Sequence, residues 1–160
     1  MGHTTSVNPV RVEVLDFSAV TFGSDAYKRT CELRNDVLRK PLGLDLFNED
    51  LSQEKEQSHF GLFDDDGQLI ACVIAIRLAL DTAKIRQMAV RSGYEGQGVG
   101  RALMRALEVQ LAKDGVTKLM LHARLSAAGF YERLGYVRSG EPFVEVGIPH
   151  IRMKKSADIE

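Results

Sequence analysis

Residues 95–101 read EGQGVGR, with Gly96, Gly98 and Gly100 alternating with larger residues. Glycine lets the backbone turn sharply and approach a ligand closely. The segment joins a strand-like run, residues 85–90, to a helical pattern that starts near Val99, and the first N–H groups of a helix have no partner within it. Those amides, together with the helix's positive end, suit a diphosphate. Two better-known phosphate loops do not match. A dinucleotide fingerprint needs its third glycine at Arg101 or Leu103, and a Walker A loop needs Lys and then Ser or Thr where this chain has Arg101 and Ala102. Taken alone, the segment is equally compatible with a strand-to-helix turn that holds no ligand.

The elements around the loop are set by hydrophobic period. Val99, Leu103, Leu107 and Leu111 recur every four residues, with Arg101, Arg105 and Glu108 on the opposite side, which predicts an amphipathic helix. Upstream, residues 10–15 alternate as a strand does, and Ser24 or Asp25 caps a helix running to about Arg39, where Pro41 stops it. Residues 43–57 are polar and acidic with scattered leucines and read as a surface loop with room for one short helix. Residues 60–63, the turn DDDG at 64–67 and residues 69–80 form a hairpin whose second strand is apolar enough to be central, with residues 82–90 beside it. After the long helix come a strand at 118–123, a short helix at 127–134 closed by Gly135, and a closing strand pair around a turn at 147–149. Strands before, between and after helices give a mixed sheet with helices on both faces.

Composition narrows the function. A chain of 160 residues with 44% hydrophobic and 27% charged content suits one domain over residues 1–160, with 1–8 expected to be disordered. The net charge of −1 gives no global field for nucleic acid or an anionic membrane. Cys31 and Cys72 sit in apolar-patterned segments as reduced core thiols, which points to a cytoplasmic location. No apolar run is long enough to span a membrane, and no export signal is present. The start MGHTTS matches a myristoylation pattern, which a tag remnant explains as well. The four histidines and two cysteines show no metal-ligand spacing, so no metal is expected.

The runs IRQMAV, YEGQGVGRALM and GFYERLGY, at compatible spacings, resemble the signature of the GNAT superfamily of N-acetyltransferases, and EPFVEVGIPHIRM is similar to its ElaA-like branch. The resemblance covers about residues 69–154. It implies an α/β (α+β) fold with a mixed, mostly antiparallel central sheet of six to seven strands, and acetyl-CoA as co-substrate. Residues 95–101 (Glu95, Gly96, Gln97, Gly98, Val99, Gly100, Arg101) would seat the diphosphate, and Met88, Ala89 and Val90 would pair with the cofactor arm like an added strand. The Ala89 amide would polarise the thioester oxygen. Arg124, Ala127 and Phe130 would lie beside the cofactor, and Tyr131 would supply a proton or hydrogen bond to the leaving thiolate. Two positions depart from the family pattern: Glu95 replaces the usual Arg or Gln, and Arg124 replaces a frequent Asn.

Acyl transfer also needs a neutral amine, and a lysine-like amine gives up about 4–5 kcal/mol at pH 7 in reaching that form. Candidate bases are Glu32, His122, Glu145 and His150, each with an ordinary alternative as a solvated or hydrogen-bonded surface group. The expected activity is direct transfer in a ternary complex to a primary amine, small or peptidic. Residues 41–57 would wall the acceptor site, their acids favouring a cationic amine. A catalytically silent acyl-CoA sensor or interaction domain is the alternative, and a nucleotide-binding regulator a third reading that the loop pattern disfavours. Dimerisation is common in the superfamily, and a homodimer is compatible with a sequence that shows no interface.

Overall fold

Local signals place the first helix where the sequence predicts it. Ser24 has an extended backbone and its Oγ accepts from the Tyr27 amide at 3.1 Å, which caps α1, Asp25–Arg34. The helical path then loosens into a π turn, Asn35–Arg39, and a 3₁₀ turn, Lys40–Leu42, that contains Pro41 and ends at Gly43 with φ 74°. The computed structural model describes residues 10–156, so the expected disorder of residues 1–8 and the myristoylation pattern lie outside it.

Among the described residues the other elements are β1 (Asp16–Val20), β2 (Ser58–Phe63), β3 (Leu69–Ala79), β4 (Thr82–Val90), α2 (Val99–Lys113), β5 (Lys118–Arg124), α3 (Ala128–Arg133), β6 (Val137–Glu145) and β7 (Ile148–Ser156). The strands form a seven-stranded sheet in the order β1-β2-β3-β4-β5-β7-β6. β4 and β5 run parallel, whereas β1–β2, β5–β7 and β6–β7 are antiparallel, so the expected mixed, mostly antiparallel sheet is present. The residues group into two bodies, one of 10–74 with 87–108 and one of 75–86 with 109–156.

In the first body the strand expected at residues 10–15 is displaced. Val12–Val14 is a 3₁₀ turn and the strand is Asp16–Val20, paired from Asp16↔Phe63 to Val20↔His59. A short alternation does not choose its own register; the partner strand does. Residues 43–57 carry two 3₁₀ turns, Leu46–Asn48 and Ser52–Glu56, and are not simply surface, because Leu46 and Glu54 are buried. Their acids are engaged within the chain: Glu54 with Arg34, Glu49 with Arg39, and Asp45 and Asp50 with the amides of Phe47 and Ser52. Two of the five acids, Glu49 and Glu54, are thus paired with arginines, while Asp45 and Asp50 keep their charge. The DDDG turn closes the β2–β3 hairpin, with Asp64 Oδ1 accepting from the amides of Asp66 and Gln68. On α2, Val99, Leu103 and Leu107 are buried while Arg101 and Arg105 are exposed, as the four-residue repeat requires.

In the second body β7 lies between β5 and β6, with His122 opposite Arg152, Arg124 opposite His150 and Phe143 opposite His150. α3 ends in the expected glycine cap: Gly135 has φ 99°, and the Tyr136 amide reaches back to the Tyr131 carbonyl at 3.0 Å. The β6–β7 turn differs from expectation. It is Val146–Gly147, with φ 46° and 80°, and Ile148 and Pro149 already belong to β7. Two successive positive φ values define the hairpin turn whose twist matches its strands, a geometry that suits Asn-Gly and strains a β-branched residue. Val146→Asn should therefore raise stability by about 1 kcal/mol, read as a higher thermal midpoint; an unchanged or lower midpoint would remove the strain from the account.

Candidate active site

In the first body, β4 leads into the glycine loop through a kink. Gln87 has φ 58°, a left-handed conformation uncommon outside glycine. Beyond the kink, Ala89 is buried against Leu33, Leu69 and Cys72, while Met88 and Val90 are half-buried. Arg91 then fastens the strand exit, its amide to the Ile70 carbonyl at 2.8 Å and its Nε to the Leu69 carbonyl at 2.7 Å.

The loop is shaped so that its amides stay available. Gly96 and Gly98 have φ of 76° and 83°, and an added Cβ at either would meet nothing closer than 4.0 Å. Glycine is required here for backbone conformation rather than for space. Ala102 is the first amide to find an acceptor, the Gly98 carbonyl at 2.9 Å. Residues 95–98 turn tightly ahead of α2, and among the described residues no loop carbonyl lies in good hydrogen-bond geometry with the amides from Gly96 to Arg101. Weakly held backbone donors at the start of a fifteen-residue helix suit an anion.

Two loop side chains serve the loop itself. Glu95 Oε1 accepts from the Gly93 amide at 2.8 Å, so its carboxylate is folded back along the chain. Gln97 Oε1 accepts from the Val10 amide at 2.7 Å and its Nε2 donates to the Gly93 carbonyl at 3.4 Å. The contribution expected of Gln97 thus reduces to its backbone. Arg101 is exposed on the first turn of α2.

Behind the kink lies a buried polar network that the sequence reading missed. Arg34 is 1% exposed and forks onto Glu54, with Nη1 to Oε1 at 2.9 Å and Nη2 to Oε2 at 2.6 Å. Tyr27 donates its hydroxyl to the same Oε1 at 2.7 Å, and Arg34 Nε reaches Gln87 Oε1 at 3.4 Å. Burial lowers the basicity of the Arg34 guanidinium, but the Glu54 carboxylate more than compensates and leaves its pKa raised. Burial, with Glu54 as the next cause, likewise pushes the Tyr27 phenol well up. The signal in the sequence was Tyr27, Cys31 and Arg34 at i, i+4 and i+7 of one helix, which put an arginine on the apolar face. Burial also pushes the Cys72 thiol up to about 12, which leaves it without thiolate character at neutral pH. Glu32 lies on the exposed side of α1.

In the second body Tyr131 is buried on α3, edge-on to Phe130 at 5.0 Å and to Tyr136 at 5.9 Å. Burial pushes its phenol up to about 12. Ala127 ends the 3₁₀ turn before α3, and Arg124, the last residue of β5, is half-buried. Three of the candidate bases meet in this body. His122 Nδ1 is 3.0 Å from Glu145 Oε1, and Phe143 stands edge-on to His122 at 4.9 Å. His150 is buried, stacks near Phe143 at 6.0 Å and turns its Nδ1 to the Ile148 carbonyl at 2.9 Å. It is a packed strand histidine. The described residues hold no cluster of three or more His, Cys, Asp or Glu fit for a metal ion, and no helix among them is long and apolar enough to cross a membrane.

Residues 33–157 match the model of the acetyltransferase (GNAT) domain. The uncharacterized N-acetyltransferase YitI of Bacillus subtilis is 31% identical over 134 residues, 79% of this chain and 89% of that protein. Two other Bacillus subtilis relatives, 36% and 38% identical, are matched over only 56% and 53% of their length, so the chain spans about half of each. In three dimensions a Lactobacillus plantarum protein described as an N-acetyltransferase superposes with a TM-score of 0.80 at 24% identity, covering 90% of this chain and 99% of that one. Escherichia coli ElaA superposes with a TM-score of 0.71 at 19% identity, covering 89% and 99%. Two further proteins of this fold have acetyl-CoA or coenzyme A in their crystal structures.

Proposed function

The chain belongs to the acetyltransferase (GNAT) domain family, and from that premise we propose that it moves an acetyl group from acetyl-CoA to a primary amine by direct attack in a ternary complex. The observation that carries the reading is the row of amides from Gly96 to Arg101 at the head of α2, none of which reaches a described loop carbonyl in good geometry. Backbone donors and a helix terminus complement a diphosphate, and proteins of the same fold hold coenzyme A. The kinked strand at Gln87–Val90 presents the acyl arm, with the Ala89 amide directed to the thioester oxygen. Arg124, Ala127 and Phe130 flank the arm, and Tyr131 donates a hydrogen bond to the departing thiolate. A cysteine as protonated as Cys72 gives no support to a covalent intermediate. The chain acts as one domain, and its acceptor is an amine in solution or on a peptide.

Calorimetric titration with acetyl-CoA, ATP and NAD, followed by turnover on a panel of primary amines, tests this. Binding of acetyl-CoA alone with acetylation of at least one amine is expected. Competition by ATP or NAD for the same site would point to a nucleotide regulator, and tight binding without turnover would point to a silent sensor.

Glu95→Gln probes the departure from the family pattern. The amide oxygen still accepts from Gly93, while the negative charge is gone, so KM for acetyl-CoA should fall about two- to fivefold, more at low salt. An unchanged KM at low ionic strength would show that the folded-back carboxylate does not reach the phosphates.

A further inference from the structure

We propose that His122 and Glu145 act as one base, Glu145 holding the imidazole tautomer and His122 Nε2 receiving the proton of the incoming ammonium; this rests on the acetyl-transfer reading above. The two residues are 23 positions apart and meet at 3.0 Å between Nδ1 and Oε1. An ionised carboxylate only accepts, so Nδ1 carries the hydrogen, and in the neutral imidazole Nε2 is left with its lone pair. Phe143 braces the ring edge-on and is itself backed by His150. Glu145 is delivered by the tight turn that starts at the next residue, Val146. Among the candidate bases this is the one whose ring nitrogen is oriented by a second side chain while staying open, His122 being 24% and Glu145 47% exposed.

Placement agrees with this. The parallel ladder of β4 and β5 runs from Thr82↔Lys118 to Ile85↔Leu121, and His122 is the first β5 residue beyond it. The strand pairings set mostly cationic groups around His122. Arg152 of β7 stands directly opposite and donates to Ser139 Oγ at 3.3 Å; Arg124 follows on β5, opposite His150; Lys84 of β4 faces Met120, with Arg86 after it. Glu132 of α3 is bonded to Arg138. Glu145 is thus the carboxylate that offsets these cations when the imidazole takes up a proton.

The step balances as follows. The ammonium gives one proton to Nε2, the freed nitrogen lone pair forms the C–N bond, and the C–S bond breaks with its electron pair going to sulfur. The second nitrogen proton ends on that sulfur, and Nε2 returns its proton to solvent. Products are the amide, the thiol and one released proton.

Two measurements test the pair. In ¹⁵N spectra of the histidine rings, taken with the ring neutral, the wild-type protein should show His122 with hydrogen on Nδ1, and Glu145→Ala should shift that tautomer; a neutral ring with its hydrogen on Nε2 rather than Nδ1 in the wild type would overturn the proposal whatever the enzyme acts on. In turnover with n-propylamine, which is protonated at neutral pH, His122→Gln should lower kcat by about 10²-fold or more and erase the acidic limb of the pH profile, with KM for acetyl-CoA unchanged. With the weakly basic 2,2,2-trifluoroethylamine, already neutral, the loss should be under tenfold. Equal losses on both amines, or none on either, would overturn the proposal while acetyl transfer stands. Failure of the wild type to bind acetyl-CoA would instead remove the underlying reading, and the proposal with it.

Discussion

Glu54→Gln should lower the free energy of unfolding by about 3–5 kcal/mol, the largest single effect expected in this chain. Glu54 is 3% exposed, yet it takes both arms of the Arg34 fork and the Tyr27 hydroxyl. The amide keeps the shape and part of the hydrogen bonding but leaves the guanidinium charge buried without its partner. The pair is not therefore a large net stabiliser, since both ions gave up their hydration to form it. The double change Arg34→Met with Glu54→Leu should cost clearly less than Glu54→Gln alone. Urea unfolding reads this as the shift in midpoint at constant slope. A loss under 1 kcal/mol for Glu54→Gln, or a double variant worse than the single, would contradict the account. Because Arg34 also reaches Gln87 at the kink of β4, Glu54→Gln should in addition raise KM for acetyl-CoA at temperatures where the variant stays folded.

Tyr131→Phe should lower kcat about 10- to 150-fold with KM for acetyl-CoA unchanged, the worth of one hydrogen bond to a charged sulfur. With its phenol near 12 and a thiol near 8.5, full proton transfer is uphill by roughly 5 kcal/mol, so the role proposed for Tyr131 is that of a hydrogen-bond donor rather than a proton source. An unchanged kcat would return Tyr131 to the role of a packed aromatic. The same burial has a stability consequence. The folded pKa lies above the ordinary tyrosine value of about 10, so the stabilising contribution is whole below pH 10 and is lost as pH rises from about 10 to 12. It amounts to about 3 kcal/mol for a two-unit shift, and the raised Tyr27 phenol adds to the loss in alkali. Tyr131→Phe should flatten part of that alkaline decline in a urea midpoint series.

Most of the architecture was legible because its signals are local. The four-residue repeat from Val99, the cap at Ser24, the DDDG turn and Gly135 each act within a few residues, and each lies in the structure where the sequence put it. Elements whose position depends on a distant partner were not legible. Residues 10–15 alternate, yet pairing with β2 starts at Asp16, and the last turn falls at Val146–Gly147 rather than at residues 147–149.

By itself the sequence determined the periodicities of helices and strands, the glycine junction ahead of α2 and the acetyltransferase family, since these are properties of neighbours along the chain. Tertiary structure alone decided that Arg34 meets Glu54 across 20 residues and Gln87 across 53, that His122 meets Glu145 across 23, and that Glu49 pairs with Arg39. A charge or ring nitrogen gains its chemical role from what faces it at about 3 Å, and that distance is set by packing rather than by spacing in the chain.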